Sequence, residues 1–164
     1  MLNEVCRTCC FLGHRTIQKS EALKSAVYET IENLILDKSV DRFLFGSKSQ
    51  FDSLALDVVT TLKKKYPHIK RVYVRAEFPA ISDDYQAYLL ESYEESYYPD
   101  KLLNAGKAVY VERNFEMIDQ SQFCVIYYDA NQAPTKRKSG TKIALDYAVK
   151  REKTVILLPK RKIL

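Results

Sequence analysis

The chain predicts an α/β fold, a three-layer α/β/α sandwich around a mainly parallel sheet. Short runs of β-branched and aromatic residues alternate with longer segments whose apolar residues recur at helical spacing. That alternation implies parallel strands joined by right-handed crossovers, with helices on both faces. Three of the four glycines, Gly13, Gly46 and Gly140, fall where a strand, or the loop after one, passes into a helix.

The first strand is read from the apolar and thiol-rich run Val5 to Leu12, which suits a strand covered on both faces. Gly13 turns the chain, and Ser20-Glu21 opens a helix with Leu23, Val27, Ile31, Leu34 and Ile35 on one side. Asp37 to Asp41 connects to a short strand, Arg42 to Phe45, which ends at Gly46. Ser47-Lys48-Ser49-Gln50 then supplies hydroxyls and a cation before a helix with Asp52 in its first turn and Leu54, Leu56, Val58, Val59 and Leu62 as its apolar set. Tyr66-Pro67 stops that helix, because proline disfavours helical geometry in the residue before it. Arg71 to Arg75 reads as a third strand.

From Ala76 to Lys107 the pattern is less regular. Ser82-Asp83-Asp84 has the composition of a helix cap, and Tyr85, Tyr88, Leu89 and Tyr93 fall near one face, read as packing or a dimer surface before a base-stacking platform. Pro99 breaks it. Ala108 to Val111 is read as a short extended segment, Asn114 to Asp119 as a helix, and Phe123 to Tyr128 as an apolar strand ending at Asp129. The loop Ala130 to Lys138 leads to Ser139-Gly140-Thr141 and a helix with Ile143, Ala144, Leu145, Tyr147, Ala148 and Val149; the strand Thr154 to Leu158 is stopped by Pro159.

The 164 residues suit one domain, 1–164. No apolar run approaches the roughly 20 residues that span a bilayer, and the N-terminus lacks the order of a signal peptide, so a cytoplasmic protein is expected. Cys6, Cys9, Cys10 and Cys124 lie in or beside core strands and read as reduced thiols; the Cys6-x-x-Cys9 spacing lacks the second pair of a zinc site, and no metal is expected. The net charge of +5 favours anionic partners in general. Lys63 to Lys65 reads as a solvated helix end and Lys160 to Lys162 as a tail, whereas Lys136-Arg137-Lys138 adjoins a glycine turn.

In an open parallel sheet, ligands bind beyond the carboxyl ends of the strands. Three glycine turns on that edge, accompanied by His14, Arg15, Ser47, Ser49, Ser139 and Thr141, predict a pocket for a phosphorylated ligand, with helix N-termini aimed at the anion. Arg113 offers a donor fork that matches phosphate, its plainer alternative being a surface ion pair. Asn114 reads equally as a ligand contact or a helix cap. His14 stands open between a ligand contact and a structural hydrogen bond, and Glu77 beside Arg75 reads first as half of an ion pair.

The start Cys-Phe-Leu-Gly-His-Arg, the turn Phe-Gly-Ser-x-Ser-x-Phe-Asp at Phe45 to Asp52, Arg113-Asn114 with Met117-Ile118-Asp119, and Ser139-Gly140-Thr141 opening the last helix form an ordered set over nearly the whole chain. That set resembles the SLOG superfamily, which joins DprA/Smf-like and LOG-like Rossmann-type domains, and within it the small stand-alone YpsA-like branch. The resemblance implies a Rossmann-like fold and a nucleotide or NAD-derived ligand over the strand ends. Gly13, His14 and Arg15 would meet it at the first turn; Gly46, Ser47, Ser49 and Asp52 would shape the second; Arg75, Arg113 and Asn114 would join from the strand end and helix; Ser139, Gly140 and Thr141 would hold phosphate. It also implies a cytoplasmic bacterial or phage protein that senses or sequesters its ligand, commonly as a homodimer or larger homo-oligomer, with no other cofactor.

LOG members are phosphoribohydrolases with the signature Pro-Gly-Gly-x-Gly-Thr and a glutamate three residues after the threonine. Here Lys136 to Thr141 replaces that turn and Ala144 stands at the glutamate's place, so the leading expectation is binding without turnover. The alternative is a nucleoside 5′-monophosphate phosphoribohydrolase using a relocated carboxylate, Glu77 foremost. The third is single-stranded nucleic-acid binding, with basic residues tracking phosphates and tyrosines stacking on bases.

Overall fold

A computed structural model describes residues 7–132 and 138–164. Seven strands form one sheet in the order β4-β3-β2-β1-β5-β6-β7. They are β1 (Thr8–Gly13), β2 (Arg42–Phe45), β3 (Lys70–Val74), β4 (Glu95–Tyr97), β5 (Phe123–Tyr127), β6 (Thr154–Leu158) and β7 (Lys162–Ile163). Every neighbouring pair is parallel except β6 with β7. The helices are α1 (Glu21–Asp37), α2 (Gln50–Lys65), α3 (Asp83–Leu90), α4 (Val109–Asp119) and α5 (Gly140–Lys150). The sandwich is therefore Rossmann-like, with a mainly parallel sheet flanked by helices.

The chain first steps from β1 through β2 and β3 to β4, then returns to the other side of β1 for β5 and β6. Right-handed crossovers that reverse their direction of travel must change faces. Accordingly α1 and α2 pack together on one face and α4 and α5 on the other. Side-chain alternation along the buried strands serves both: Cys9 and Phe11 belong to the core under α1 and α2, Cys10 and Leu12 to the core under α4 and α5. Phe11 stacks on Phe43 and Phe45 in the first layer. The reversal leaves β1 at the switch in strand order, where the carboxyl ends of its neighbours diverge.

Four helices begin with a serine N-cap. Ser20, Ser49, Ser82 and Ser139 each accept from the backbone N–H three residues on, relieving one of the orphan donors of a helix start. Helix α4 has no such cap and is fed by two short 3₁₀ turns, Asp100–Asn104 and Gly106–Ala108. This corrects the reading of Ala108 to Val111 as extended: Val-Tyr-Val imitates strand alternation, but Arg113, Met117 and Ile118 bury a helical face, and that packing overrides the local preference. The same helix removes Asn114 as a cap, since α4 begins five residues earlier.

Edge strands β4 and β7 carry too little apolar alternation to be read from sequence; they gain their place from pairing with β3 and β6. Tyr93 leaves the tyrosine row of α3, which ends at Leu90, and packs between Phe45 and Tyr73. Tyr85 and Tyr88 stack on each other, with Tyr88 exposed. Cys9, Cys10 and Cys124 are buried free thiols, and burial pushes the Cys9 thiol up from its ordinary value. Val5, Cys6, Lys136 and Arg137 lie outside the described residues. Among the described residues no helix is long and apolar enough to cross a membrane.

Candidate functional site

The carboxyl ends of β1, β2 and β3 open into a cavity of about 660 Å³, roofed by α4 and the first turn of α5. That volume lies within the range of small-molecule sites, on the order of 300–1,000 Å³. Of the sequence-predicted residues, Gly13, His14, Arg15, Gly46, Ser47, Ser49, Glu77, Arg113, Asn114, Ser139, Gly140 and Thr141 all line it. Asp52 and Arg75 do not.

The three glycines are there for different reasons. A Cβ on Gly13 would lie 2.5 Å from the ring of Phe51, and one on Gly46 would lie 2.6 Å from the Met117 sulfur and 2.7 Å from Arg113 Cδ. Both positions are closed by the protein itself, so their missing side chains make room for α2 and α4. Around Gly140 nothing among the described residues lies within 4 Å of the Cβ position. Among the described residues packing gives no reason for a glycine there, and Gly140 lines the cavity at the first turn of α5, where helix-start N–H groups lack intrahelical partners.

The β2 turn is gripped from two sides. Asp52 Oδ2 accepts from the N–H groups of Gly46 at 3.2 Å and Ser47 at 3.0 Å. Arg113, buried on α4, donates through Nη1 to the carbonyls of Gly46 and Val74, and through Nε to Asn114 Oδ1 at 2.9 Å. Arg113 is thus no surface ion pair; its Nη2 has no hydrogen-bond partner among the described residues. Ser47 Oγ donates to Ser49 Oγ at 2.9 Å, and Ser49 caps α2 through the Asp52 N–H at 3.0 Å.

Burial raises the Asp52 carboxyl to about 7, against the opposing pull of the Gly46 N–H, the Arg113 charge and the Ser47 N–H. Its second oxygen, Oδ1, is buried without a partner. Burial likewise pulls the Arg113 guanidinium below its ordinary value, with the Asp52 charge acting the other way. Asp52 therefore holds the turn from behind and does not line the cavity. Arg75 reaches the Pro79 carbonyl at 3.4 Å, while its buried Nε has no partner.

His14 Nε2 accepts from the Asp129 N–H at 2.8 Å, tying the β1 turn to the end of β5. This is the structural alternative for His14, realised in a residue that still borders the cavity. Ser139 Oγ caps α5, accepting from the Lys142 N–H at 3.1 Å, a role that leaves its O–H free to donate. Glu77 makes no ion pair with Arg75; its Oε1 accepts from Tyr110 Oη at 3.2 Å.

Leu12, Lys48, Tyr73, Ala76, Tyr110 and Ala144 complete the lining. Tyr110 had a signal: read as helix, it stands three and four residues before Arg113 and Asn114 and shares their face. Tyr73 had none, since either face of β3 was open to it. The charged lining is dominated by Arg15, Lys48 and Arg113, an arrangement that attracts anions. Among the described residues no group of three or more His, Cys, Asp or Glu side chains could hold a metal ion.

A doubly wound sheet with a cationic cavity over its strand ends defines a Rossmann-like class of protein. The sequence profile of YpsA, described as the YspA SLOG family, matches residues 12–163, and the chain belongs to that family. It is also similar to a Bacillus subtilis (strain 168) protein described as "Uncharacterized SPbeta prophage-derived protein YoqJ". The two are 30% identical over 146 residues, covering 78% of this chain and 81% of that protein.

Proposed function

We propose that the chain binds a nucleotide or NAD-derived phosphorylated small molecule at the carboxyl edge of its sheet and does not turn it over. One observation carries this reading: residues from three strand-end turns and two helices, far apart in sequence, line a single cavity whose charge is mainly positive. The open flank of Gly140 lets a phosphate approach the first-turn amides of α5, where N–H groups and the helix dipole favour an anion. Arg113 contributes from the roof through Nη2, Arg15 and Lys48 from the rim. Family membership supports the nucleotide class.

Ala144 lines the cavity at the position where the LOG-like signature has its glutamate, which favours retention of the ligand over cleavage. The third reading finds less support: Lys63, from one basic cluster, is engaged by the Pro67 and Ile69 carbonyls and by Glu94, away from the cavity. A cytoplasmic homo-oligomer with 1–164 as one ligand-binding domain accompanies the proposal. Calorimetry against nucleoside mono- and diphosphates, cyclic dinucleotides and ADP-ribose tests it, with chromatography of the same mixtures for products. Binding with intact ligand is expected; no heat from the whole panel, and no small molecule in the mass spectrum of the purified protein, would end the proposal.

A further inference from the structure

We infer that Asp52 is a positioning residue that couples the cavity to a proton: an anionic ligand meeting Arg113 enters together with a proton from solvent, which settles on the buried Asp52 carboxyl. The inference rests on the phosphate reading above and concerns a group behind the cavity wall.

The geometry isolates one carboxylate oxygen. Asp52, in the first turn of α2, is 4% exposed. Its Oδ2 accepts from the N–H groups of Gly46 and Ser47, two residues that line the cavity, while Oδ1 is buried with no partner. Two amides satisfy only part of an ionised carboxylate, which offers about four acceptor positions. The bare oxygen makes the charged form costly in a dry interior, and it is the atom free to take a proton. Once protonated there, the carboxyl still accepts both amides through Oδ2, so the turn keeps its hydrogen bonds and loses only their charge assistance.

The charged form depends on the field around it. Burial drives the Asp52 carboxyl up, and the Gly46 N–H and then the Arg113 charge pull it back. Arg113 acts across space, since no hydrogen bond or ion pair joins it to Asp52 among the described residues. Tyr73 on β3 and Tyr93, between α3 and β4, share that field; burial first and the Asp52 charge second or later push both phenols up, so they carry no charge near neutrality. Glu77, on the cavity lining, acts on the same guanidinium.

Arg113 has Nη1 on the Gly46 and Val74 carbonyls and Nε on Asn114 Oδ1, which leaves Nη2 for the cavity the residue lines. An anion at that arm offsets the cation on which the Asp52 charge relies. The carboxyl already stands at about 7 against the pull of Arg113, so added negative charge carries it above neutrality and a proton is taken up. By linkage, affinity is greatest where Asp52 is protonated in both states and falls as pH rises through about 7.

Calorimetry on the full chain tests this, at about pH 7.5 in two buffers of different ionisation enthalpy and from about pH 6 to about pH 8.5. The probes are ADP-ribose and cyclic di-AMP, whose phosphates do not titrate near neutrality, and AMP, whose own titration near about pH 6 is cancelled by comparison with Asp52→Asn. A rise of the carboxyl to about 8 on binding predicts uptake of about half a proton at about pH 7.5 and affinity about sevenfold higher at about pH 6 than at about pH 8.5. Asp52→Asn should show no uptake, and under about twofold change for the two non-titrating probes. Infrared difference spectra of wild type should gain a protonated-carboxyl band as a bound probe is added. A purely structural Asp52 would alter affinity on substitution without moving a proton. An enthalpy independent of buffer, proton release, or uptake that persists in Asp52→Asn would overturn the inference alone. Uptake without the carboxyl band would do the same, assigning the proton to His14 on the cavity wall, and this pair of wild-type measurements decides even if Asp52→Asn does not fold. Silence from all three probes would remove the inference together with the phosphate reading beneath it.

Discussion

Replacing Asp52 with asparagine should abolish a pH dependence of stability that this one carboxyl imposes. In the fold its pKa stands at about 7, raised from 3.8 by burial. An acid with a raised folded pKa keeps its proton in the native state where the unfolded chain has lost it, so the folded state is favoured below about pH 7 and that advantage disappears as pH rises. The full difference of 3.2 units, 7 minus 3.8, corresponds to about 4 kcal/mol at about 1.36 kcal/mol per unit. Between about pH 5 and about pH 8 the share lost is about 2 to 3 kcal/mol. Asparagine retains an oxygen for the Gly46 and Ser47 N–H groups but cannot ionise. Urea unfolding at the two pH values measures it, with the wild-type curve compared with that of Asp52→Asn so that other titrating groups cancel. The variant should be the more stable protein near pH 8 and lose its advantage near pH 5. Equal pH slopes for the two proteins would refute the reasoning, because the carboxyl would then titrate as if exposed.

Two of the glycines that line the cavity should respond in opposite ways to alanine. Gly13→Ala sets a methyl 2.5 Å from Phe51 and should cost about 1–3 kcal/mol in chemical unfolding. Gly140→Ala meets nothing within 4 Å among the described residues and should leave stability unchanged or raise it by up to ~1 kcal/mol while weakening phosphate-ligand binding in calorimetry. Arg113→Met removes the donor shared by the Gly46 and Val74 carbonyls and should lower stability by about 2–4 kcal/mol, read as a shifted denaturation midpoint. Ser49→Ala removes the α2 cap and its link to Ser47, costing about 1 kcal/mol by the same assay.

Most of the scaffold was legible because its signals are local. Helix starts announced themselves by serine caps, and buried strands by runs such as Arg42 to Phe45, whose bounds the sequence and the structure share. The cavity lining was legible through turns, since glycine, serine and arginine at strand ends have few other uses. What escaped depends on contacts between distant segments. Gly13 and Gly46 looked like openings for a ligand, and only the positions of Phe51, Met117 and Arg113 reveal them as packing contacts. Asp52 is read as shaping the second turn, but that it does so from outside the cavity lining, through the Gly46 and Ser47 amides, follows only from the fold. Arg113 was found for its donor fork, but that it spends one arm on two backbone carbonyls follows from α4 lying across β2 and β3. Val109 to Val111 misled because a three-residue alternation carries no information about which period continues.

Gly46 is held at its N–H by a residue of α2 and at its C=O by a residue of α4, so helices from opposite faces of the sheet clasp a single residue of the backbone. A floor fastened in this way cannot be remodelled one residue at a time: each new partner would need the other two to move with it. Substitutions that spare the clasp are then those at the cavity's margin, where Lys48, Glu77 and Tyr110 are exposed. Anyone retargeting the pocket would do well to vary that margin first and leave the clasp intact.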